Sequence, residues 1–316
     1  DSDLKASGRA DSLCEIIVEG TLNCLGGENH PVVFQSDESP AVVPPDWYGI
    51  SIEPDAACTL RHTEVRDAYK SLWAMEPSGL SVRHSSFLNQ ELVGIDLDEC
   101  LVPSEVFGCY IDGCQIGIRA EICSTRIDSN AISDASLYGI RVGKSRGTEV
   151  RDNTVSVEGM LNSPSRGIYV DAPDMNIDVV GNLVTVGDIG GSGITAYQAS
   201  PAHVRVDTNV VQGASTGVGL GKGIRYFQSK GSAEWNIVEG FTYCYRVNAC
   251  GDRIPELGRA NSTWGNNSTD GESAYNVYAT GSGGADTLHV QKNWWGTENP
   301  SGRKFYGQGI DVLWQP

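Results

Sequence analysis

A short strand-like unit recurs through most of the chain, and this repeat limits the possible folds more than any other feature. The clearest copy is residues 137–142, L-Y-G-I-R-V, in which Gly precedes an apolar residue, a variable residue and a second small or apolar residue. Related units begin at Gly49, Gly79, Gly94, Gly117, Gly167, Gly193 and Gly223. Their spacing, as in 139 − 117 = 22 and 167 − 139 = 28, predicts a solenoid whose coils cover one another.

Asparagine marks a second position with the same period. These residues are Asn89, Asn130, Asn153, Asn182, Asn209 and Asn236. Asn tolerates the left-handed conformation of a tight turn, and its amide can hydrogen-bond to neighbouring backbone. We therefore expect stacked Asn side chains to form a ladder along one corner. We expect the repeated Gly at another corner, where a Cβ has no room.

The C-terminal segment adds a more specific signature. Residues 290–302 read V-Q-K-N-W-W-G-T-E-N-P-S-G, and residues 309–314 have the pattern of a final strand. This segment resembles the N-W/Y-W-G-x-x-x-P-x-G motif that closes many secreted bacterial β-helix domains. Together with the repeat, it makes the sequence similar to the right-handed parallel β-helix, or pectate-lyase-like, superfamily from about residue 16 to residue 316. The resemblance implies an all-β, three-sheet solenoid of roughly ten coils with an aromatic C-terminal cap.

On this basis we predict a single β-helix domain over residues 1–316. Residues 1–46 are expected to form the N-terminal coils or cap, and residues 47–250 the regular coils. Residues 251–289 are polar and rich in Gly and Asn, which predicts a loop excursion. Residues 290–316 are expected to form the cap, where bulky aromatic side chains would cover exposed strand edges. We therefore interpret Trp294 and Trp295 as structural.

Charge and cysteine content restrict the partners and the setting. The chain has 40 acidic and 23 basic side chains, a formal net charge of -17, which disfavours nucleic acid. No apolar run is long enough to span a membrane. The nine cysteines lack a C-x-x-C pair, and we expect disulfides, with Cys14–Cys24 and Cys244–Cys250 as candidates. Sequons at Asn261, Asn266 and Asn267 would accept glycans in a host that glycosylates. These features favour an extracellular or cell-surface protein.

The variable residue of each unit should point outward, because side chains alternate along a strand. Read along the solenoid, this position holds Ser51, Ser81, Asp96, Arg119, Arg141, Tyr169, Thr195, Arg225 and Arg246. Two residues further on lie Asp98, Glu121, Asp171, Tyr197 and Phe227. The resemblance implies a polysaccharide groove on this sheet, with Arg119, Arg141, Tyr169, Asp171, Tyr197 and Arg225 as candidate binding residues. The alternative is a solvated surface whose Arg and Asp side chains pair between coils.

Cleavage of a uronic acid polymer by β-elimination would need a base and cations or calcium to stabilise the enolate. Arg141, Tyr169 and Arg119 are the catalytic candidates on the outward stripe. Asp96, Asp98 and Glu99 are candidate ligands for Ca²⁺. The catalytic sets of polygalacturonases, pectate lyases and alginate epimerases are incomplete in this sequence, so an enzymatic activity stays undecided.

Two functions therefore remain open. The first is a secreted or cell-surface protein that binds an acidic extracellular polysaccharide, with cleavage as a variant of this hypothesis. The second is a structural or adhesive protein without enzymatic activity, such as a rigid spacer or one subunit of an extracellular filament of like subunits.

Overall fold

The computed structural model describes residues 13–35, 47–159, 164–187, 190–213, 220–258, 267–269, 274–282, 287–291, 293–295 and 305–313. These residues form strands and turns, and no helix occurs among them. Accordingly, the described residues contain no helix that could cross a membrane. All strand pairings along the solenoid are parallel and join positions on successive coils. The predicted all-β, three-sheet solenoid is confirmed.

Strands are numbered in chain order and lie on three faces. The first face contains β1 (Cys14–Val18), β4 (Trp47–Ile52), β7 (Lys70–Met75), β10 (Val93–Asp98), β12 (Tyr110–Glu121), β14 (Ala131–Gly143), β17 (Arg166–Asp171), β20 (Ser192–Tyr197), β23 (Lys222–Phe227), β26 (Tyr243–Cys250), β29 (Tyr275–Ser282) and β31 (Phe305–Gln308). The second contains β2 (Thr21–Leu25), β5 (Ala57–Arg61), β8 (Gly79–Arg83), β11 (Ser104–Phe107), β13 (Thr125–Asp128), β15 (Glu149–Arg151), β18 (Ile177–Val180), β21 (His203–Asp207), β24 (Lys230–Glu234) and β27 (Pro255–Glu256).

The third face contains β3 (Val32–Phe34), β6 (Thr63–Arg66), β9 (Ser86–Leu88), β16 (Thr154–Val157), β19 (Leu183–Val186), β22 (Val210–Gly213), β25 (Ile237–Glu239) and β28 (Ser268–Thr269). The long strands β12 and β14 begin on the third face and continue onto the first, so hydrogen bonding connects these two faces. Near the C-terminus, β30 (Thr287–His289) pairs with β32 (Asp311–Leu313) in a separate two-stranded sheet.

Inward-facing aliphatic side chains stack from coil to coil and form the core. On the first face this column consists of Ile50, Leu72, Ile95, Ile118, Ile140, Ile168, Ile194 and Ile224, which are all buried. The Gly before each Ile borders the interior. A Cβ on Gly139 would lie 2.7 Å from the Gly167 carbonyl oxygen and closer still to Val155 Cγ1. The prediction that these glycines occupy a place without room for a side chain is therefore confirmed on this face.

Gly79 and Ser81 do not belong to this set, and their placement on the predicted stripe is wrong. Both residues lie on β8 of the second face, and no heavy atom lies within 4 Å of a Cβ built on Gly79. The corresponding first-face strand in this coil is β7, where Trp73 pairs with Ser51 and Asp96. Strands on both faces can have Gly followed by alternating apolar residues, because this pattern requires only that every second side chain point into the core. The sequence of Gly79–Val82 therefore did not distinguish the second face from the first.

The predicted asparagine ladder lies at the corner before the third face. It contains Asn130, Asn153, Asn182, Asn209, Asn236, Asn267 and Asn293, each joined to the next by side-chain amide hydrogen bonds of 2.8 to 3.0 Å. Asn89 is not a member, because it is exposed at another turn and donates to Asp67. The left-handed residue is the one that precedes a ladder Asn, such as Asp152 or Thr208. Amide hydrogen bonding, rather than left-handed backbone, therefore explains the ladder.

Asn267 belongs to this ladder, and its predicted glycosylation is wrong for the folded chain. Its side chain is buried, and Nδ2 donates to Asn293 Oδ1 at 2.8 Å and to the Ala233 carbonyl at 2.9 Å. An N-linked glycan is attached at Nδ2, so a glycan cannot be attached to Asn267 in the folded chain. The other two predicted acceptors, Asn261 and Asn266, lie outside the described residues.

The predicted disulfides are also wrong. Cys14 and Cys24 are free thiols, as are Cys58, Cys100, Cys109, Cys114 and Cys123. Cys14 is exposed, whereas Cys24 is buried on the next face. Cys244 and Cys250 lie on one extended strand, β26. Six residues of strand span about 20 Å, whereas a disulfide requires Cα atoms within about 7 Å.

The described part of residues 251–289, predicted to be a loop excursion, continues the coils. Pro255 of β27 pairs with Gly231, Ser268 of β28 with Ile237, and Tyr275 of β29 with Tyr243. Beyond it, the Trp295 side chain is buried and contacts Tyr245 and Phe305 edge to face. Trp295 therefore has the expected structural role, whereas Trp294 is 52% exposed.

Candidate functional site

The outer surface of the first face carries a continuous row of side chains, which we call the middle row. In register, it contains Ser51, Trp73, Asp96, Arg119, Arg141, Tyr169, Thr195, Arg225, Arg246, Tyr278 and Tyr306. Apart from Ser81, every predicted member of the stripe lies in this row. The parallel register places equivalent residues about 4.8 Å apart on neighbouring coils.

Two further rows flank the middle row. On one side lie Asp98, Glu121, Asp171, Tyr197 and Phe227, as the sequence predicted, together with Gly143 and Asn248. On the other side lie Lys70, Tyr138, Arg166, Lys222, Tyr243 and Tyr275, which the sequence argument missed. Strict alternation would turn Tyr138 inward. Its ring instead lies 5.3 Å from Tyr169 on the outer surface, because the intervening Gly139 borders the core.

In the N-terminal half of this surface, cations are neutralised by carboxylates. Asp96 is fully buried; its Oδ2 lies 2.6 Å from Lys70 Nζ and its Oδ1 lies 3.3 Å from Arg119 Nε. Arg141 Nη2 lies 4.0 Å from Glu121 Oε2 and 3.8 Å from Asp171 Oδ2. In this half, the structure agrees with the alternative interpretation, in which Arg and Asp side chains pair between coils. Two of the three predicted catalytic residues, Arg119 and Arg141, form such ion pairs.

The predicted calcium ligands do not form a cation site. Asp96 is engaged by the two cations described above. The pKa of Asp98 is raised, chiefly because the side chain is partly removed from water. Within the described ranges, no group of three or more His, Cys, Asp or Glu side chains is arranged to hold a metal ion.

The C-terminal half has a different electrostatic character. Arg225 and Arg246 are adjacent in the middle row, and neither forms an ion pair with a carboxylate among the residues that the structure describes. The pKa of Arg225 is lowered, first by burial and then by the positive charges of Arg246 and Arg166. An anion placed between these guanidinium groups would relieve this repulsion.

Aromatic rings surround this pair of cations. The Arg225 guanidinium carbon lies 5.0 Å from the centroid of the Phe227 ring, and that of Arg246 lies 5.4 Å from Tyr243 and 5.8 Å from Tyr278. Rings also stack along the solenoid, with centroids 4.9 Å apart for Tyr197 and Phe227. Such contacts hold the guanidinium groups in place while leaving their N–H donors able to bind a ligand.

Several polar atoms on this surface are covered yet have no hydrogen-bond partner among the described residues. They are Asp96 Oδ1, Arg119 Nε, Arg141 Nε, Thr195 Oγ1, Arg225 Nε, Arg246 Nε and Asn248 Oδ1. Buried polar atoms are normally satisfied, so their concentration on one face indicates a place for a polar ligand or ordered water.

Tyr169 lies between the two halves. Its ring contacts Tyr138 and Tyr197, and the Arg166 guanidinium lies 5.0 Å from its centroid. Burial, assisted by Asp171, raises the pKa of Tyr169 to about 12. The phenol is therefore protonated at neutral pH and suits a hydrogen-bond donor better than a base.

A comparison with protein families agrees with this architecture. Residues 42–184 match the family model described as the right-handed beta helix region. No curated protein matches the chain. Among solved structures, a mannuronic acid specific polysaccharide family 6 lyase enzyme from human gut microbiota is similar over 95% of this chain and 73% of that chain, with 15% sequence identity and a TM-score of 0.45. The match to the right-handed beta helix region thus extends over residues 42–184, and parallel pairing of strands continues beyond them to β31.

Proposed function

We propose that the chain binds an acidic polysaccharide along the outer surface of the first face, with anionic groups of the glycan held by Arg225 and Arg246. The observation that carries this proposal is the pair of adjacent guanidinium groups without a carboxylate partner among the described residues. In a protein with a net charge of -17, acidic side chains were abundant enough to neutralise this pair, as they do for Arg119 and Arg141. The difference between the two halves supports an external anion.

The shape and chemistry of the surface support a polymer rather than a small anion. Its rows run across many coils, and each strand fixes its outward side chains on a rigid sheet. Tyr243, Tyr278 and Phe227 offer apolar ring faces beside the cations. Aromatic rings with a polar tip can contact the C–H face of a sugar while their hydroxyl groups bind its oxygens.

Binding without cleavage fits the structure better than β-elimination. A lyase needs a group that can accept the proton beside the uronate carboxylate. Arg119 and Arg141 are held in ion pairs, and the raised pKa of Tyr169 keeps its phenol protonated. None of the three predicted catalytic residues is therefore prepared to act as a base. Incubation with polymannuronate or polygalacturonate should produce no unsaturated, ultraviolet-absorbing ends.

The direct test is calorimetric titration with polymannuronate, polygalacturonate and chondroitin sulfate, with dextran as a neutral polymer. Losing two hydrogen bonds to a charged ligand, each worth about 1.5–3 kcal/mol, should weaken binding at least 100-fold in a variant carrying Arg225→Ala and Arg246→Ala. The matched control carries Arg151→Ala and Arg205→Ala, which removes the same charge from the second face and should retain affinity. Equal affinities of the two variants, or no binding of any acidic polymer to the unaltered chain, would contradict the proposal.

One observation favours the second candidate function, association of like subunits. On the third face, Leu183, Val210 and Ile237 are in register on successive coils, and Leu183 and Ile237 are 39% and 45% exposed. Trp235, beside Ile237, is 56% exposed. An apolar row of this kind can mark a protein interface. If it joins subunits, Ile237→Asp should convert an oligomer to a monomer in analytical ultracentrifugation; a monomeric unaltered chain would rule this function out.

A further inference from the structure

A concave surface lies on the second face, away from the middle row with Arg225 and Arg246. It has a volume of about 530 Å³ and is lined by Ala57, Thr59, Gly79, Ser81, Glu105 and Arg126, among others. This volume falls in the range of pockets that hold small organic ligands. All six of these residues lie on β5, β8, β11 and β13, so the depression rests on the rigid part of the solenoid.

The depression results from a change in side-chain size between neighbouring coils. Thr59, Ser81, Glu105 and Arg126 form one outward row in register. The first two members are small, whereas the last two rise above the sheet. Beside this row, a Cβ on Gly79 would meet no heavy atom within 4 Å, and Pro103 forms part of the boundary.

The polar groups of the depression are ordered by one another. Ser81 Oγ donates to Glu105 Oε1 at 2.7 Å, and Arg83 Nη2 donates to Glu105 Oε2 at 2.7 Å. The hydrogen bond from Arg83 lowers the pKa of Glu105, so this carboxylate is ionised at neutral pH. Arg126 forms an ion pair with Asp128. Each charge therefore has a partner of opposite sign.

These features identify the chemistry that the depression can accept. An anionic ligand would approach the Glu105 carboxylate, and a cationic ligand would approach Arg83 and Arg126. A neutral ligand with several hydroxyl groups avoids both conflicts, because its hydroxyls can donate to Glu105 and accept from the N–H groups of Arg126. Ala57 and Pro103 offer apolar contact to the C–H face of such a ligand.

We propose that this depression is a second binding site, specific for a neutral saccharide. It differs from the arginine surface in face, charge and ligand class. The Arg225→Ala and Arg246→Ala variant should therefore bind neutral sugars as well as the unaltered chain does, whatever the outcome for acidic polymers.

Saturation-transfer difference NMR with cellobiose, mannobiose and galactobiose tests the proposal. Gly79→Val fills the depression with a residue that favours strands and meets no neighbouring atom, so it should abolish saturation transfer without lowering the melting temperature. Gly20→Val is the matched control, because a Cβ there is equally free of neighbours and Gly20 does not line the depression. This variant should retain the signal.

Glu105→Gln examines the hydrogen-bonding role separately from shape. The amide preserves the size of the side chain but weakens acceptance from a sugar hydroxyl, and we expect roughly a tenfold loss of affinity. Absence of saturation transfer from all three disaccharides to the unaltered chain would overturn the proposal. So would equal signals from the Gly79→Val and Gly20→Val variants.

Discussion

Replacing Asn182 in the asparagine ladder should destabilise the solenoid far more than replacing an exposed asparagine. Asn182 Oδ1 accepts hydrogen bonds of 3.0 Å from both the backbone N and the Nδ2 of Asn153. In Asn182→Ala, these two buried donors lose that partner, whereas Asn209 Oδ1 keeps its bond from the Asn182 backbone. A buried donor left without a partner costs about 1–3 kcal/mol, so the free energy of unfolding should fall by about 2–6 kcal/mol.

Asn182→Leu separates hydrogen bonding from loss of volume. Leucine occupies a similar space but accepts no hydrogen bond, and it leaves no room for a water molecule to replace the amide. If the two donors of Asn153 determine the cost, Asn182→Leu should be at least as destabilising as Asn182→Ala. If packing determines the cost, the leucine variant should be clearly more stable than the alanine variant.

The control is Asn89→Gly. Asn89 is exposed, and glycine is compatible with its left-handed backbone, so the expected change is within about 0.5 kcal/mol. Equilibrium unfolding in guanidinium chloride, followed by circular dichroism, measures all three variants. A loss below about 1 kcal/mol for both Asn182 variants would refute the reasoning that the ladder stabilises the corner.

Three further predictions concern packing, charge and thiols. Gly139→Ala should cost about 1–3 kcal/mol because its Cβ would meet the Gly167 carbonyl, whereas Gly79→Ala should be neutral or slightly stabilising; equal unfolding midpoints would contradict this. Burial and the neighbouring Asp207 raise the pKa of Glu234, so its ionised form disfavours folding. Glu234→Gln should therefore raise the unfolding midpoint at neutral pH, and this gain should disappear below about pH 4, where both states are protonated. Thiol titration of the denatured chain without reductant should detect at least seven reactive cysteines, and a lower number would contradict the free thiols of Cys14, Cys24 and the five buried cysteines named with them.

The sequence was sufficient to predict most of the outward row because the structural rule is local. Once Ile140 is assigned to the core, alternation places Arg141 outside, and the same rule applies to Arg225. The rule failed at Trp73, since this coil has Ser71-Leu72 where other coils have Gly-Ile. It also failed at Tyr138, because Gly139 as well as Ile140 borders the core and the Tyr138 ring lies on the outer surface beside Tyr169.

Properties that depend on neighbouring coils could not be obtained from a local pattern. Asn267 was interpreted as a glycan acceptor because Asn267-Ser268-Thr269 is a sequon, and its distance from Asn236, 267 − 236 = 31 residues, exceeds the earlier ladder spacings. The structure shows that the longer interval is accommodated before Asn267 returns to the same corner. Likewise, the charge of Arg119 and the charge of Arg225 are indistinguishable in sequence. Only the structure shows that Arg119 is neutralised by Asp96, whereas Arg225 has no carboxylate partner among the described residues.

The fold separates the residues that maintain the coil from those that can recognise a ligand. Asn182 and Ile140 point toward the corner and core, where each side chain is fixed by contacts with the coils before and after it. Arg225 and Arg246 project from the opposite side of the same sheet layer, and their contacts are with rings on that surface. Because stability in a solenoid comes mainly from contacts between neighbouring coils, outward positions can change charge or size without altering the core. The same backbone can thus present neutralised cations in one half and, in the other, two half-buried cations without a carboxylate partner among the described residues.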